Sequence, residues 1–235
     1  MQARLVRVVL MGAAASLGLL APAAQAAVVS LNFEGIAATY PFFDNPQVLD
    51  FYNGGTSGVG TSGVNYGVVF GPNALAVCWN SQSVVCTNGS RGGEGDPDSS
   101  QSGLFFLEGA NTYLNYAAGF TTAFSLNYVS FSRAGSVTLY DGLDGSGNIL
   151  ATLDLQPNAQ GCPDYFAEFC PLQPIGATFT GTARSIGFGG VADAIGFDDI
   201  TFGSERPGPS VPAPLALTGD RKSTRLNSSH TVISY

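Results

Sequence analysis

Three carboxylates are the side chains best placed to do chemistry. Glu34 ends the alternating segment VVSLNFEGI near the start of the chain, and Asp198 and Asp199 are adjacent in IGFDDITFG near its end. In a jelly-roll sandwich the first and last strands lie side by side, which brings these acids to one sheet edge. Calcium takes about six to eight oxygen ligands, which three carboxylates with neighbouring carbonyls can supply. Glu34, Asp198 and Asp199 are therefore the candidate metal set, with calcium as a structural ion that staples the termini. Strand alternation limits this set, because consecutive residues point to opposite faces and only one of Asp198 and Asp199 then binds inward. The alternative is that all three are solvated acids at strand ends.

Other chemistries leave weaker traces. Asp141-Gly-Leu-Asp144-Gly-Ser-Gly-Asn148 is rich in oxygen ligands, but its acids are three apart rather than at the alternating positions of an EF-hand. It reads as a hairpin turn in which glycines supply positive φ. Paired carboxylates hydrolyse glycosides, so a carboxylate-dependent glycan hydrolase is the enzyme alternative. Any acidic β-protein offers such pairs, and the chain is read as a non-enzyme with no catalytic residues. Sugar sites use exposed aromatic rings beside polar groups. Tyr40, Phe42, Phe43, Phe51, Tyr52, Tyr66 and Trp79 crowd the first third of the chain. Trp79, beside a cysteine loop, and Tyr52 and Asn53, entering a glycine-rich loop, are the candidate saccharide contacts.

The elements that must position these residues are strands. Segments rich in Val, Phe, Tyr and Ile alternate with Gly, Asn and Ser turns, and no sustained helical period occurs after the first residues. Val28–Ile36, Val64–Phe70, Ala74–Trp79, Gly103–Glu108, Thr112–Ala117, Ser136–Tyr140, Ile149–Leu155, Ile175–Phe179, Ser185–Phe188 and Ala194–Phe202 read as strands. Phe124–Ser132, FSLNYVSFS, alternates as a half-buried strand does. The fold class is all-β, a jelly-roll-like antiparallel β-sandwich over residues 27–203. Cys78/Cys86 and Cys162/Cys170 each enclose seven residues. Four cysteines allow three connectivities, and two local bridges close the shortest loops. Each such bridge stabilises by about 2.6 kcal/mol in the chain-entropy model.

Charge excludes some partners. Between residues 27 and 219 there are four arginines, no lysine and sixteen acids, a net charge of −12. Such a surface repels nucleic acid and anionic lipid and suits cations.

The two ends read as something other than fold. Arg4 and Arg7, the apolar run Val8–Leu20 and Ala24-Gln25-Ala26 form a signal peptide over 1–26. Export makes oxidised cysteines the expectation. Asp220–His230, DRKSTRLNSSH, resembles one reading frame of a common DNA-sequencing adapter, and Ile233–Tyr235 fits its continuation. Residues 220–235 are therefore read as adapter-derived, and the chain's single histidine, His230, is given no catalytic or metal role. That removes a Ser/His/Asp triad.

Between domain and tail, Ser204–Val211 is an extended linker leading to Val211-Pro212-Ala213-Pro214 and the apolar start Leu215-Ala216-Leu217. This layout resembles exported bacterial proteins with a PEP-CTERM sorting signal. In that family a secreted β-domain ends in a strand like FDDITFG and is followed by Val-Pro-Glu-Pro, one membrane helix and a basic cluster. Val211, Pro212 and Pro214 match the motif, while Ala213 stands where the family has Glu. The resemblance implies an exosortase-type sorting enzyme as partner and residues 215–219 as the start of a truncated membrane helix, the protein's one contact with the membrane. It also implies a place in the cell envelope, at the cell surface or in the extracellular matrix, in association with exopolysaccharide.

Overall fold

A computed structural model describes residues 28–80, 86, 99–162 and 169–208. Residues 1–26, read as a signal peptide, Val211, Pro212 and Pro214, read as a sorting motif, residues 215–219, read as the start of a membrane helix, and residues 220–235 lie outside the described residues. Within those residues the chain forms eleven strands and no helix. They are β1 Val29–Leu31, β2 Val68–Phe70, β3 Leu75–Cys78, β4 Ser102–Phe105, β5 Asn111–Phe120 and β6 Ala123–Ser130. They continue as β7 Gly135–Tyr140, β8 Ile149–Leu155, β9 Gln173–Thr178, β10 Ala183–Gly189 and β11 Ile195–Phe202.

The strands pair in two antiparallel sheets. The first runs β3-β4-β11-β6-β9, with β1 added beside β11, and the second runs β2-β5-β10-β7-β8. From β4 onward consecutive strands change sheet, apart from the β7–β8 hairpin, which gives the jelly-roll-like sandwich expected from the turn pattern. First and last strands do lie together: Val29 pairs with Phe202 and Leu31 with Ile200. Strand β1 is shorter than the alternation of Val28–Ile36 suggests, because Phe33 adopts φ 58° and turns the chain. The two disulfides are local, with Cα separations of 5.8 Å for Cys78–Cys86 and 5.0 Å for Cys162–Cys170.

Leu104, Phe124, Leu126, Phe197, Ile200 and Phe202 from the first sheet, with Phe33 just after β1, meet Val68, Leu114, Val137, Leu139, Ile186 and Phe188 from the second. Across the sandwich, the rings of Phe188 and Phe197 pack edge to face at 5.1 Å.

Within the first sheet β6 and β11 are covered on both faces while β9 at the edge alternates, which corrects the half-buried reading of Phe124–Ser132 over its β6 part. Every residue of β6 and of β11 is buried. Val77, Trp79, Phe105 and Val129 form a separate apolar cluster, against which Phe169 of the second cysteine loop and the flanking Ala159 and Leu172 pack. Polar residues on β6 are thus covered by protein rather than solvent. Trp79 is the centre of this cluster and is 1% exposed. A Cβ on Gly103 would come within 2.4 Å of its Cζ2, and one on Gly196 within 2.5 Å of its Cη2. The two glycines form the slot that holds the indole, so Trp79 is a core residue and not the exposed sugar platform expected beside a cysteine loop.

Asp141–Asn148 is the β7–β8 hairpin turn that its glycines announce. Asn148 donates from its backbone N–H to Asp141 Oδ1 at 2.7 Å and from its side chain to Oδ2 at 2.8 Å. These bonds to Asn148 lower the pKa of the Asp141 carboxyl. Asp144 and Gly145 take φ of 54° and 69° at the tip.

The indole slot gives a stability prediction. Gly103→Ala should destabilise the protein by about 1–3 kcal/mol, because the methyl meets Trp79 on one side and the Phe197 carbonyl, 2.7 Å away, on the other. Trp79→Ala should cost about 3–5 kcal/mol through the cavity it leaves. Urea denaturation of both variants checks this, and near-wild-type midpoints would show that the indole is not packed in this slot.

Candidate functional site

The site is built where one edge of β11 changes partner. Phe197 pairs with Leu104 of β4, and from Ile200 onward the same edge pairs with β1. Asp198 and Asp199 fall in the gap between the two partner strands. On the other edge, Asp198 pairs with Asn127 and Thr201 with Ser125 of β6, so three steps of β11 face two of β6. Asp199 is the extra residue of a β-bulge and takes φ 47°.

The bulge overturns the alternation argument. Asp198 and Asp199 do not separate to opposite faces: Ser99 Oγ lies 3.2 Å from Asp198 Oδ2 and 3.3 Å from Asp199 Oδ1. Backbone groups that lose their ladder partner in a bulge must find another. The Asp199 N–H donates to Asp198 Oδ1 at 2.8 Å, and the Asp199 carbonyl accepts from Thr201 Oγ1 at 2.8 Å. Asn127 Nδ2 donates to Asp199 Oδ2 at 3.1 Å. Two adjacent acids are thereby tied to Ser99, Asn127 and Thr201, none of which stands out in the sequence as a site residue. The signal that could have found them is Asp-Asp followed two residues on by Thr, the side chains that cap an irregular backbone.

Electrostatics follow from this geometry. Asp198 is fully buried, and burial first, then the neighbouring Asp199 charge, holds its pKa well above the ordinary carboxylate value. A single Ser99 hydrogen can serve only one of the two carboxylates. The raised pKa favours a protonated Asp198 carboxyl, whose O–H can donate to Ser99 Oγ while Ser99 donates to Asp199.

Glu34 stands at the same junction. Its Oε1 accepts from the Gln101 N–H at 2.7 Å, one residue before β4 begins. Burial raises the Glu34 pKa, against the lowering effect of the Gln101 and Ser102 amides.

Two of the three acids open onto a cleft of about 430 Å³ lined by Ser30, Asn32, Glu34, Phe51, Tyr52, Ser62, Gly63, Val64, Tyr66, Asp199 and Gly208. Asp198 is not on its wall. Tyr52 and Tyr66 stack at 6.2 Å and 29°, and Phe51 meets Tyr52 edge-on at 4.8 Å. Tyr52 is only 4% exposed, and its hydroxyl accepts from the Phe33 N–H at 2.8 Å, so it forms the inner wall rather than an open platform. Asn53 is exposed and bonded to Asp50, but it does not line the cleft. Val64 and Tyr66 offer more surface, with Val64 61% exposed and Tyr66 partly so. Of the segment Ser204–Val211, read as an extended linker, residues 204–208 are described and touch the first sheet. The Glu205 carbonyl lies against Gly176 of β9, and Gly208 donates to Thr201 Oγ1 at 3.4 Å on the rim of the cleft.

A smaller cleft of about 290 Å³ lies among Phe131, Arg133, Phe169, Val191 and Asp193. Among the described residues, no group of three or more His, Cys, Asp or Glu is arranged to hold a metal ion. The three predicted acids meet through Ser99, Gln101 and the cleft wall rather than around one point.

No family model matches the chain, and no curated protein matches it. Among solved structures, a carbohydrate-binding module (CBM6cm-2) from Cellvibrio mixtus lichenase 5A in complex with cellotriose is similar over 45% of this chain and 79% of that chain, at 16% identity and a TM-score of 0.30. At that TM-score the likeness assigns neither fold nor ligand. The sandwich is defined by the strand pairing of this chain itself.

The buried acid gives a pH prediction. A carboxyl whose folded pKa is raised makes the native state bind more protons than the unfolded state, so stability is greatest below the unfolded pKa of about 3.9 and is lost as pH rises through the folded value. Melting temperature should therefore fall with rising pH across that interval. Asp198→Asn, which keeps a donor for Ser99, should flatten the profile and raise stability at its upper end. A wild-type profile that rises through the same interval would contradict the protonated acid.

Proposed function

We propose that this protein is an exported binding module of the cell surface or extracellular matrix, sorted at the envelope through Val211, Pro212 and Pro214 by an exosortase-type enzyme. We propose further that it holds a saccharide in the Tyr52–Tyr66 cleft and does not cleave it. The observation that carries the binding reading is the composition of that cleft. Saccharides present an apolar C–H face and a rim of hydroxyls, and are held by aromatic surface beside convergent polar groups. Here Tyr66 and Tyr52 stand beside Ser30, Asn32, Glu34 and Asp199, in a cleft of about 430 Å³. That volume lies within the range of small-molecule sites, about 300–1,000 Å³. Two disulfides suit the oxidising compartment that export implies.

Cleavage is a weaker reading of the same residues. A glycosidase needs two carboxyl groups facing the scissile bond. Asp198 is sealed from solvent, and Asp199 is held by Asn127 and Ser99 as part of the bulge. These bonds give the acids a structural task that explains their burial without catalysis.

Affinity electrophoresis of the full chain through gels containing soluble polysaccharides tests this reading, with reducing-sugar release measured on the same polymers. Retardation without release is expected. Tyr66→Ala should weaken the retarding interaction about threefold to tenfold, the worth of one aromatic contact. Release of reducing ends would defeat the non-enzymatic reading, and equal retardation of Tyr66→Ala would remove the saccharide from this cleft.

A further inference from the structure

We infer that the saccharide site is longer than the cleft. The cleft continues as a trough across the outer face of the first sheet, where residues 204–208 lie as a strap that an extended polysaccharide displaces. This rests on the saccharide reading and sets the length of ligand within it.

Strand register lines up four small residues. Gly176 of β9 pairs with Ser125 of β6, Ser125 with Thr201 of β11, and Thr201 with Ser30 of β1. Directly paired residues share a face. Ser125, Thr201 and Ser30 alternate with the core residues Phe124, Ile200 and Leu31, so the row lies on the outer face. It crosses four strands and spans roughly 14 Å, at about 4.8 Å per strand. Its near end, Ser30, is on the cleft wall. No side chain in the row is larger than that of threonine, which leaves a shallow trough.

After β11 the chain doubles back into this row. Gly203 donates to the Ala123 carbonyl at 2.9 Å and takes φ 83°, which turns the chain. The Glu205 carbonyl oxygen then sits 2.2 Å from where a Cβ on Gly176 would be, a place only glycine leaves open. Gly208 donates to Thr201 Oγ1 at 3.4 Å and itself lines the cleft. The step from Glu205 to Gly208 reaches about 10 Å, the width of two strand spacings. The strap therefore follows the row from β9 to β11 and ends at the cleft.

The strap fits this row loosely. Ser125 is fully buried, and its Oγ has no hydrogen-bond partner among the described residues. Among those residues the strap's hydrogen bond to the sheet is the Gly208 contact, long beside the usual N–H···O of about 2.9–3.0 Å. Its other bonds are internal: Ser204 Oγ donates to the Arg206 carbonyl at 2.8 Å and accepts from the Arg206 N–H at 3.1 Å. Glu205 and Arg206 stay exposed. A segment tied this way belongs to the low-stability end of a structure and opens without global unfolding. A buried hydroxyl without a partner costs free energy, which a sugar hydroxyl beside Ser125 recovers. Thr201 Oγ1 and Ser30 Oγ, 3.1 Å apart, carry the same chemistry on toward the cleft. A glycan chain that starts in the cleft thus finds a row of hydroxyls under the strap.

Two measurements on the full chain test the inference. Ser125→Cys places a thiol in the trough of a protein whose own cysteines are paired, and iodoacetamide reads its exposure. Labelling should proceed under native conditions at a rate that low urea does not change, since strap release exposes little surface. Pro207→Gly should speed it about twofold to fivefold, because the released strap gains chain entropy. In calorimetry, hydroxyethyl cellulose, xylan and dextran are each compared with their own trisaccharide. A polymer that binds should bind Pro207→Gly about twofold to fivefold tighter than wild type, while its trisaccharide binds both equally. The same polymer should slow labelling of the thiol, and the trisaccharide should not. Labelling that rises with urea as steeply as global unfolding does would show the strap to be fixed and would overturn the inference without any sugar. Polymers that bind both proteins equally and leave the thiol reactive would end the site at the cleft and leave the saccharide reading standing. Binding of no polymer and no trisaccharide would overturn both. The polymer comparison keeps Ser125, so it stands even if the thiol variant does not fold.

Discussion

The constraint on which the structure turns is a break in the hydrogen-bond ladder along one edge of β11. Two short strands, β4 and β1, share that edge, and Asp198 and Asp199 lie between the residues that pair with them. Buried backbone groups cannot be left unpaired. The chain answers with a bulge whose amide is capped by Asp198 and whose carbonyl is capped by Thr201. Putting a carboxyl at that depth then requires a proton, a hydroxyl and an amide around it. Ser99 supplies the hydroxyl and the Asp199 N–H the amide, and the raised pKa of Asp198 favours the proton. The same break opens the sheet edge toward solvent, and the cleft sits there with Asp199 on its wall.

The rest of the sandwich makes this arrangement tolerable. Strand β11 is paired along its other edge by β6 on both sides of the bulge, and both strands are buried on both faces. Around the polar junction, the inner core and the Trp79 cluster hold the sheet from opposite sides. The positive φ values of Phe33 and Asp199, neither of them glycine, bracket the cleft. Such conformations cost about 1–3 kcal/mol each and persist only where surrounding contacts over-determine them.

How much of this could be read in the sequence depends on what each residue type encodes. The all-β class, the local disulfides, the hairpin at Asp141–Asn148 and the neighbouring of first and last strands were legible. They follow from composition, loop entropy, glycine placement and jelly-roll topology. The direction of Asp199 was not legible, because a bulge with positive φ carried by Asp leaves no glycine to mark it. Trp79 was misplaced for a related reason: proximity to a cysteine loop suggests a surface, while the slot that buries the indole is made by Gly103 and Gly196, remote in sequence. Among the early aromatics it is Phe43, 67% exposed, that stands in solvent. Tyr66 joins Tyr52 in the cleft through the fold of the 51–66 loop, a three-dimensional fact that periodicity does not carry. The covered outer face of β6 was hidden because alternation reports which residues share a face, not what lies over it.

Carbon-13 NMR titration of the Asp198 carboxyl, assigned by comparison with Asp198→Asn, tests the account most directly. The bulge, the shared Ser99 hydroxyl and the burial together predict a titration midpoint well above that of an ordinary aspartate, near 3.9. A midpoint at or below the ordinary value would mean that Asp198 is ionised and solvated, and that the capped break in β11 does not exist as described.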